Sequence, residues 1–184
     1  MNDFTQKTNK RQFELVFEDG MVLFVNGHYL AELSPYFDML CFGNCVESRE
    51  QRAFIKDEKW DEMVVVLNYL CPFDGMLEKR IRMCDYAILM HYAYRMIFPQ
   101  LQQELKVFCR EKFPQLTKLE PVCDSLIIDI IIEAAVSGLT PSDIWQICEP
   151  FGGKGEQYVK EVIKDFDKDL QEIVIKYTRG HEMA

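Results

Sequence analysis

The chain has 184 residues, of which 48% are hydrophobic and 28% charged, and its formal net charge is -9. This balance is typical of a globular protein with one domain and a smaller appended unit, and it excludes a disordered chain. The acidic balance and the shortness of the basic stretches Lys7–Arg11 and Lys79–Arg82 argue against a nucleic-acid partner, and no apolar run reaches the roughly 20 residues that a membrane helix needs.

The first ordered element that we predict is a β-hairpin, after a flexible N-terminus over residues 1–12. Residues 13–17 and 21–25 are rich in β-branched and aromatic residues, which favour strands, and a tight turn is expected at the Asp-Gly pair between them. Apolar residues then recur at steps of three and four, which predicts two helices separated at Ser34-Pro35. The next elements predicted are a strand over 52–56, a helix over 59–71 and a loop over Pro72–Gly75.

The remainder of the chain is predicted to be helical. An apolar face between Ile81 and Arg95 indicates one helix, and Pro99 suits the first position of the next. After a connector between Pro114 and Pro121, a strongly apolar helix is expected over Leu126–Val136. The segment Thr140–Asp143 has the hydroxyl, proline and carboxylate spacing of a helix cap.

A glycine-rich stretch, Phe151–Gly155, predicts a flexible break before the final segment. That segment carries apolar residues at alternating steps of four and three, which is typical of a helix that packs on another helix. The six residues of this candidate seam are Val159, Ile163, Phe166, Leu170, Ile173 and Tyr177. Two interpretations stay open: the seam binds a partner helix, or it packs back on Leu126–Val136.

Local patterns for catalysis or metal binding are weak. Cys41 and Cys45 are four residues apart with His28 nearby, so a zinc site is one interpretation, but we favour two small apolar core residues because a second ligand pair is missing. Asp129 and Glu133 form an acid–base pair or, as we favour, the polar side of a largely buried helix. We predict no enzyme, metal or cofactor, and a small hydrolase is the weakest hypothesis.

The number and spacing of the cysteines indicate the cellular compartment of the protein. There are seven, an odd number, and they are scattered through apolar stretches without the even spacing of a disulfide framework. The stretch Met1–Arg11 is polar, unlike the apolar core of a signal peptide. Reduced thiols are the simpler interpretation, so we expect a cytoplasmic protein, a nuclear protein, or both.

Several stretches between residues 13 and 113 share the residue pattern of one interaction domain. They are Leu23–Leu30, Leu33–Leu40 with its Leu-Ser-Pro-Tyr-Phe-Asp-Met-Leu sequence, Phe54–Leu70, Asp85–Tyr94 and Leu101–Phe113. In this pattern and order the region resembles a BTB/POZ domain. The resemblance implies an α+β fold, a short mixed sheet flanked by helical hairpins over 13–113, followed by an all-α extension over 114–178 and a flexible tail over 179–184.

The resemblance also implies a function through protein partners. Many members of the family act as adaptors that bring substrates to a cullin-type ubiquitin ligase, and their cullin-contacting loop carries an apolar residue, any residue, then glutamate. Cys45, Val46 and Glu47 stand at that place here. We therefore expect an adaptor that binds the cullin-three scaffold. The alternative is a scaffold or assembly protein that acts without a cullin, for example in chromatin or ribonucleoprotein complexes, and a homodimer is also considered.

Overall fold

A computed structural model of the chain describes residues 3–71, 80–113, 115, 122–148, 154 and 156–179. The strands of the described ranges are β1 (Phe13–Phe17), β2 (Val22–Val25) and β3 (Arg52–Ile55). Their α-helices are α1 (Gly27–Leu33), α2 (Pro35–Phe42), α3 (Val46–Glu50), α4 (Trp60–Leu70), α5 (Tyr86–Arg95), α6 (Pro99–Glu111), α7 (Asp124–Val136), α8 (Pro141–Cys148), α9 (Glu156–Val162) and α10 (Lys168–Arg179), with a 3-10 turn over Met83–Asp85.

The three strands form a small mixed sheet with the order β2-β1-β3. β1 pairs with β2 in an antiparallel and with β3 in a parallel arrangement. One face is buried, and Phe13, Leu15 and Phe17 of β1 are each at most 1% exposed. Gly20 closes the hairpin with a φ of 85°, a conformation that glycine adopts without steric cost. The predicted hairpin, the predicted third strand and the mixed α+β class are confirmed.

The predicted pair of helices breaks at Ser34-Pro35, as expected. Ser34 has an extended backbone, its hydroxyl accepts a hydrogen bond from the Phe37 N–H at 3.2 Å, and Pro35 occupies the first helical position, where its missing N–H costs nothing. The same hydroxyl donates to the carbonyl oxygen of Met96 at 2.5 Å. This one buried side chain therefore begins α2 and joins it to a segment 62 residues further along the chain.

The flexibility of residues 1–12 stays a prediction, and from Asp3 onward the structure shows contacts between this segment and the sheet. Phe4 is only 3% exposed, and its carbonyl oxygen accepts the N–H of Phe24 at 2.7 Å, beside strand β2. Thr8 and Arg11 exchange two backbone hydrogen bonds at 3.1 and 3.2 Å, which closes a turn in this N-terminal arm (residues 3–12). The prediction overlooked Phe4 because a single apolar residue in a polar stretch produces no periodicity.

The chain divides into two compact units that do not follow one another in sequence. The first comprises Met1–Ile81 and Tyr92–Gln102, and the second comprises Arg82–His91 and Gln103–Ala184. The sequence analysis placed a single domain boundary after Phe113, so part of the predicted 13–113 domain belongs to the second unit. The limits 13–113 and 114–178 stay predictions about the family resemblance.

The second unit is helical, and an ion pair joins two of its helices. Thr140 caps α8 as predicted, since its hydroxyl oxygen accepts the N–H of Asp143 at 3.3 Å. The Asp143 carboxylate, 2% exposed, accepts hydrogen bonds from the Thr140 hydroxyl at 2.7 Å and from Arg110 Nε at 2.7 Å and Nη2 at 3.3 Å. Asp143 thus connects α6 to the start of α8, which the cap pattern alone did not indicate.

The final segment is two helices, so the prediction of one continuous helix is wrong. α9 ends at Val162 and α10 begins at Lys168, directly after Asp167, whose residue type favours the position before a helix. The side-chain amide of Gln171 donates to the carbonyl oxygens of Lys164 at 3.1 Å and Phe166 at 2.7 Å, which stabilises the break. α10 contacts α7 and α8, as in the interpretation in which the segment packs back on Leu126–Val136.

The backbone conformation of Gln51 leads to a testable prediction about the stability of the fold. It ends α3 in the left-handed region, with φ 52° and ψ 38°, and its side chain is exposed. Because a side chain with a Cβ is strained in this conformation and glycine is not, we expect Gln51→Gly to raise the free energy of unfolding by about 0.5 kcal/mol. Chemical denaturation would measure this. The control Gln103→Gly, at an exposed position within α6, should instead lower it by about 1 kcal/mol; a loss in both variants would contradict the expectation.

Several predicted features lie outside the described residues. They are the loop Pro72–Gly75, most of the connector between Pro114 and Pro121, the stretch Phe151–Gly155 apart from Lys154, and the tail after Arg179. Among the helices that are described, none is long and apolar enough to cross a membrane.

Candidate interaction surface

The first unit carries a surface groove of about 430 Å³ between α3 and the outer face of the sheet. Its lining residues are Val46, Glu47 and Glu50 of α3, Val16 of β1, and Arg52 and Phe54 of β3. Two of these are large apolar side chains with unusual exposure, 58% for Val46 and 55% for Phe54. Because these two exposed apolar side chains line the same groove, we take it as the candidate interaction surface. We call it the α3 groove.

The strand register explains why the sheet contributes an apolar wall. Side chains alternate between the two faces of a strand, and the buried positions of β1 leave Glu14 and Val16 on the outer face. Val16 pairs with Val22 of β2 on one side and with Phe54 of β3 on the other. The result is a row of three apolar residues across the outer face, and the α3 groove lies at the Phe54 end of this row.

Of the three predicted contact residues, Val46 and Glu47 line the α3 groove and Cys45 does not. Cys45 occupies the position before α3, and its thiol approaches the carbonyl oxygens of Met39 at 3.6 Å and Leu40 at 3.8 Å. The apolar side chain that faces solvent is therefore Val46. Sequence reasoning assigned the apolar role to Cys45 because the motif alone does not show which of two neighbouring residues points outward.

The charged side chains of the α3 groove differ in whether a described residue of opposite charge lies close to them. Arg52 Nε lies 3.6 Å from Glu14 Oε2, and Glu14 also accepts a hydrogen bond from Lys7 at 3.3 Å. Glu47 and Glu50 form no ion pair with any described residue. The nearby cation Arg95 forms an ion pair with Glu58. The groove therefore presents two carboxylates without a cationic partner in the described part of the chain.

A second pair of exposed apolar residues lies on α2, the helix before α3. Met39 is 63% and Phe42 is 48% exposed, and they are three residues apart, so they share one face of the helix. The Phe42 ring packs on the His28 ring with the centroids 4.6 Å apart. Among the described residues of the first unit, the exposed large apolar side chains are thus concentrated on consecutive elements from α2 to β3, apart from Ile97.

Cys41 and His28, two residues of the zinc interpretation, lie in apolar surroundings. Cys41 is 2% exposed, and burial raises the pKa of its thiol to about 12. His28 lies against Phe42. Within the ranges that the structure describes, no three histidine, cysteine, aspartate or glutamate side chains are grouped so that they could hold a metal ion.

One carboxylate of α7 lies close to a histidine within the second unit. Glu133 Oε2 is 3.3 Å from His91 Nδ1, and this contact was not foreseen because the two residues are 42 positions apart. Asp129 is exposed on α7, and partial desolvation, with a smaller contribution from the charge of Glu133, raises its pKa above the usual value. Five residues of α7 are buried: Ile127, Ile128, Ile130, Ile131 and Ala134.

The six residues of the predicted seam do not form one exposed stripe. Val159 and Ile163 are buried, at 2% and 0% exposure, whereas Phe166, Leu170, Ile173 and Tyr177 are partly exposed. The most buried residue of α10 is Val174, outside the seam. The seam therefore contributes in part to the core of the second unit.

The residues that sequence reasoning missed at the α3 groove are Val16, Phe54 and Arg52. The signal for Phe54 was present, since it alternates with the apolar residues Ala53 and Ile55 and so belongs on the opposite face of the strand. Its position beside α3 depends on the parallel pairing of β1 with β3, which local sequence does not encode.

No family model matches the chain, and no curated protein matches it.

Proposed function

We propose that the chain is a protein-interaction module of the BTB/POZ type, an adaptor that binds a cullin-type ubiquitin ligase scaffold through the α3 groove. The observation that carries the proposal is that Val46 and Glu47, two of the three residues selected from the sequence, line a groove with an exposed apolar wall. The order of elements from β1 to α6 also agrees with the order that the family resemblance implies, except that the short helix α3 stands where a loop was expected.

The properties of the α3 groove suit a protein partner. Specific interfaces have an apolar centre with a polar rim, and the fully buried apolar anchors contribute most of the affinity. Val46 and Phe54 are suitable anchors because each exposes more than half of its surface. Glu47 supplies a charge at their edge, where it favours one orientation of the partner over others.

The test is binding of the purified chain to the amino-terminal domain of the cullin-three scaffold, measured by isothermal titration calorimetry. We expect Val46→Asp and Glu47→Lys each to weaken binding at least tenfold, which is about 1.4 kcal/mol. The matched controls are Val136→Asp, at a valine that is 69% exposed on α7, and Glu32→Lys, at an exposed glutamate of α1 that does not line the groove. Both controls should bind as the wild type does.

The outcome against the proposal is equally direct. The adaptor proposal is wrong if the wild type shows no binding to the cullin-three domain at protein concentrations up to about 100 times a micromolar dissociation constant. The scaffold alternative, assembly of other proteins without a cullin, would then take its place. Equal losses in Val46→Asp and Val136→Asp would also contradict the proposal, since they would assign the effect to a general change in the surface.

A further inference from the structure

The α3 groove has a charge imbalance that restricts what binds there. Its lining contains two carboxylates, Glu47 and Glu50, and one guanidinium, Arg52. Arg52 is already within 3.6 Å of the Glu14 carboxylate, so its charge is shared with a residue outside the lining. The carboxylates have no cationic partner among the described residues, and a bound molecule that buried them without compensation would bind more weakly, because each charge would lose its hydration.

The other lining residues of the groove are apolar apart from Arg52. Phe54 pairs in register with Val16, and both line the groove together with Val46. An apolar side chain of a partner that covers Phe54 and Val46 removes apolar surface of both molecules from water, which favours binding. In the partner's sequence, the residue that carries this side chain must therefore be flanked by a residue whose charge neutralises Glu47 and Glu50.

We infer that the α3 groove binds a protein segment in which an apolar side chain is flanked by lysine or arginine. The inference rests on the proposed function only in taking the groove as the docking surface, and it specifies the chemistry of the partner. Charge complementarity supports it twice. The groove presents two carboxylates that have no cationic partner within the described ranges, and the whole chain carries a net charge of -9, which attracts a cationic segment from a distance.

The test selects binders without assuming their identity. A displayed library of random 12-residue peptides is selected on the immobilised chain, and the most enriched peptide is labelled and titrated by fluorescence anisotropy. We expect enriched peptides to contain an apolar residue flanked by lysine or arginine. Their affinity should fall at least tenfold for the double variant Glu47→Lys/Glu50→Lys and for Phe54→Asp, and it should fall when the salt concentration rises.

The control is the double variant Glu18→Lys/Glu32→Lys, which makes the same change in net charge at two exposed glutamates outside the groove. It should bind the peptide within about threefold of the wild type, because a change in overall charge acts mainly on long-range attraction. Far-UV circular dichroism and the melting temperature establish that each variant is folded. Equal losses in the two double variants would overturn the inference.

Other outcomes separate this inference from the proposed function. Enriched peptides that lack basic residues but lose affinity in Phe54→Asp would overturn the charge requirement and leave the groove as a docking surface. The inference would be overturned if the enriched peptides bound Phe54→Asp and the charge-reversed double variant Glu47→Lys/Glu50→Lys with the affinity of the wild type. It would also be overturned if the selection enriched no peptide. The cullin-three titration is an independent measurement, so its failure alone removes the proposed partner and not the chemistry of the groove.

Discussion

Replacing Ser34 by alanine is expected to lower the free energy of unfolding by about 3 kcal/mol. The Ser34 hydroxyl makes two hydrogen bonds in a position that is only 1% exposed, accepting from the Phe37 N–H and donating to the Met96 carbonyl. Loss of a helix cap costs about 1 kcal/mol, and removing the hydroxyl partner of a buried carbonyl costs about 1 to 3 kcal/mol. The sum is a large fraction of the stability of an ordinary domain.

Urea denaturation followed by circular dichroism would measure the effect of Ser34→Ala. The matched control is Ser142→Ala, at an exposed serine of α8, which should change the free energy of unfolding by less than about 0.5 kcal/mol. A loss of only about 1 kcal/mol in Ser34→Ala would mean that the cap accounts for the whole effect, and it would contradict a stabilising role for the bond to Met96.

The second large effect is expected at Asp143. Asp143→Asn should lower the free energy of unfolding by about 2 kcal/mol at pH 7, since the buried carboxylate makes charge-assisted hydrogen bonds to Arg110 that an amide does not replace. The Arg110 guanidinium, aided by Thr140, holds the pKa of Asp143 below its usual value of 3.8. A carboxyl group whose pKa is lowered by folding stabilises the protein above the unfolded value and loses this contribution as the pH falls through the folded value.

Denaturation at pH 7, 5 and 3 would therefore show a difference between the wild type and Asp143→Asn that is constant from pH 7 to 5 and smaller at pH 3. The control Asp165→Asn changes an exposed aspartate between α9 and α10 and should leave the free energy of unfolding nearly unchanged at pH 7. If the difference stayed the same at pH 3, or grew, the contribution of the Asp143 carboxylate would not be ionic.

The features that sequence could predict are those encoded by neighbouring residues. The serine and proline before α2 and the Asp-Gly turn of the hairpin each act within four residues, and the structure places all of them as expected. The order of strands and helices from β1 to α8 followed from periodicity, apart from the short helix α3. At the α3 groove, local sequence identified Val46 and Glu47 because they belong to a short motif.

The remaining features depend on residues distant in sequence. The contact of Ser34 with Met96 spans 62 residues, and that of Arg110 with Asp143 spans 33, so no local pattern indicates either partner. The break before α10 was missed for a different reason. The apolar repeat continues across it, and the signal against a continuous helix was the polar pair Asp165 and Asp167, which favour helix ends.

The interleaving of the two compact units has a consequence for synthesis in the cell. Tyr92–Gln102 belongs to the same unit as Met1–Ile81, although Arg82–His91 belongs to the other. On a ribosome that adds about 5 to 20 residues per second, roughly 1 to 4 s pass between the addition of Ile81 and that of Gln102. During this interval the Met96 carbonyl, the partner of Ser34, has yet to emerge. The hydrogen bond that joins Ser34 to this later segment can therefore form only after translation has passed Met96.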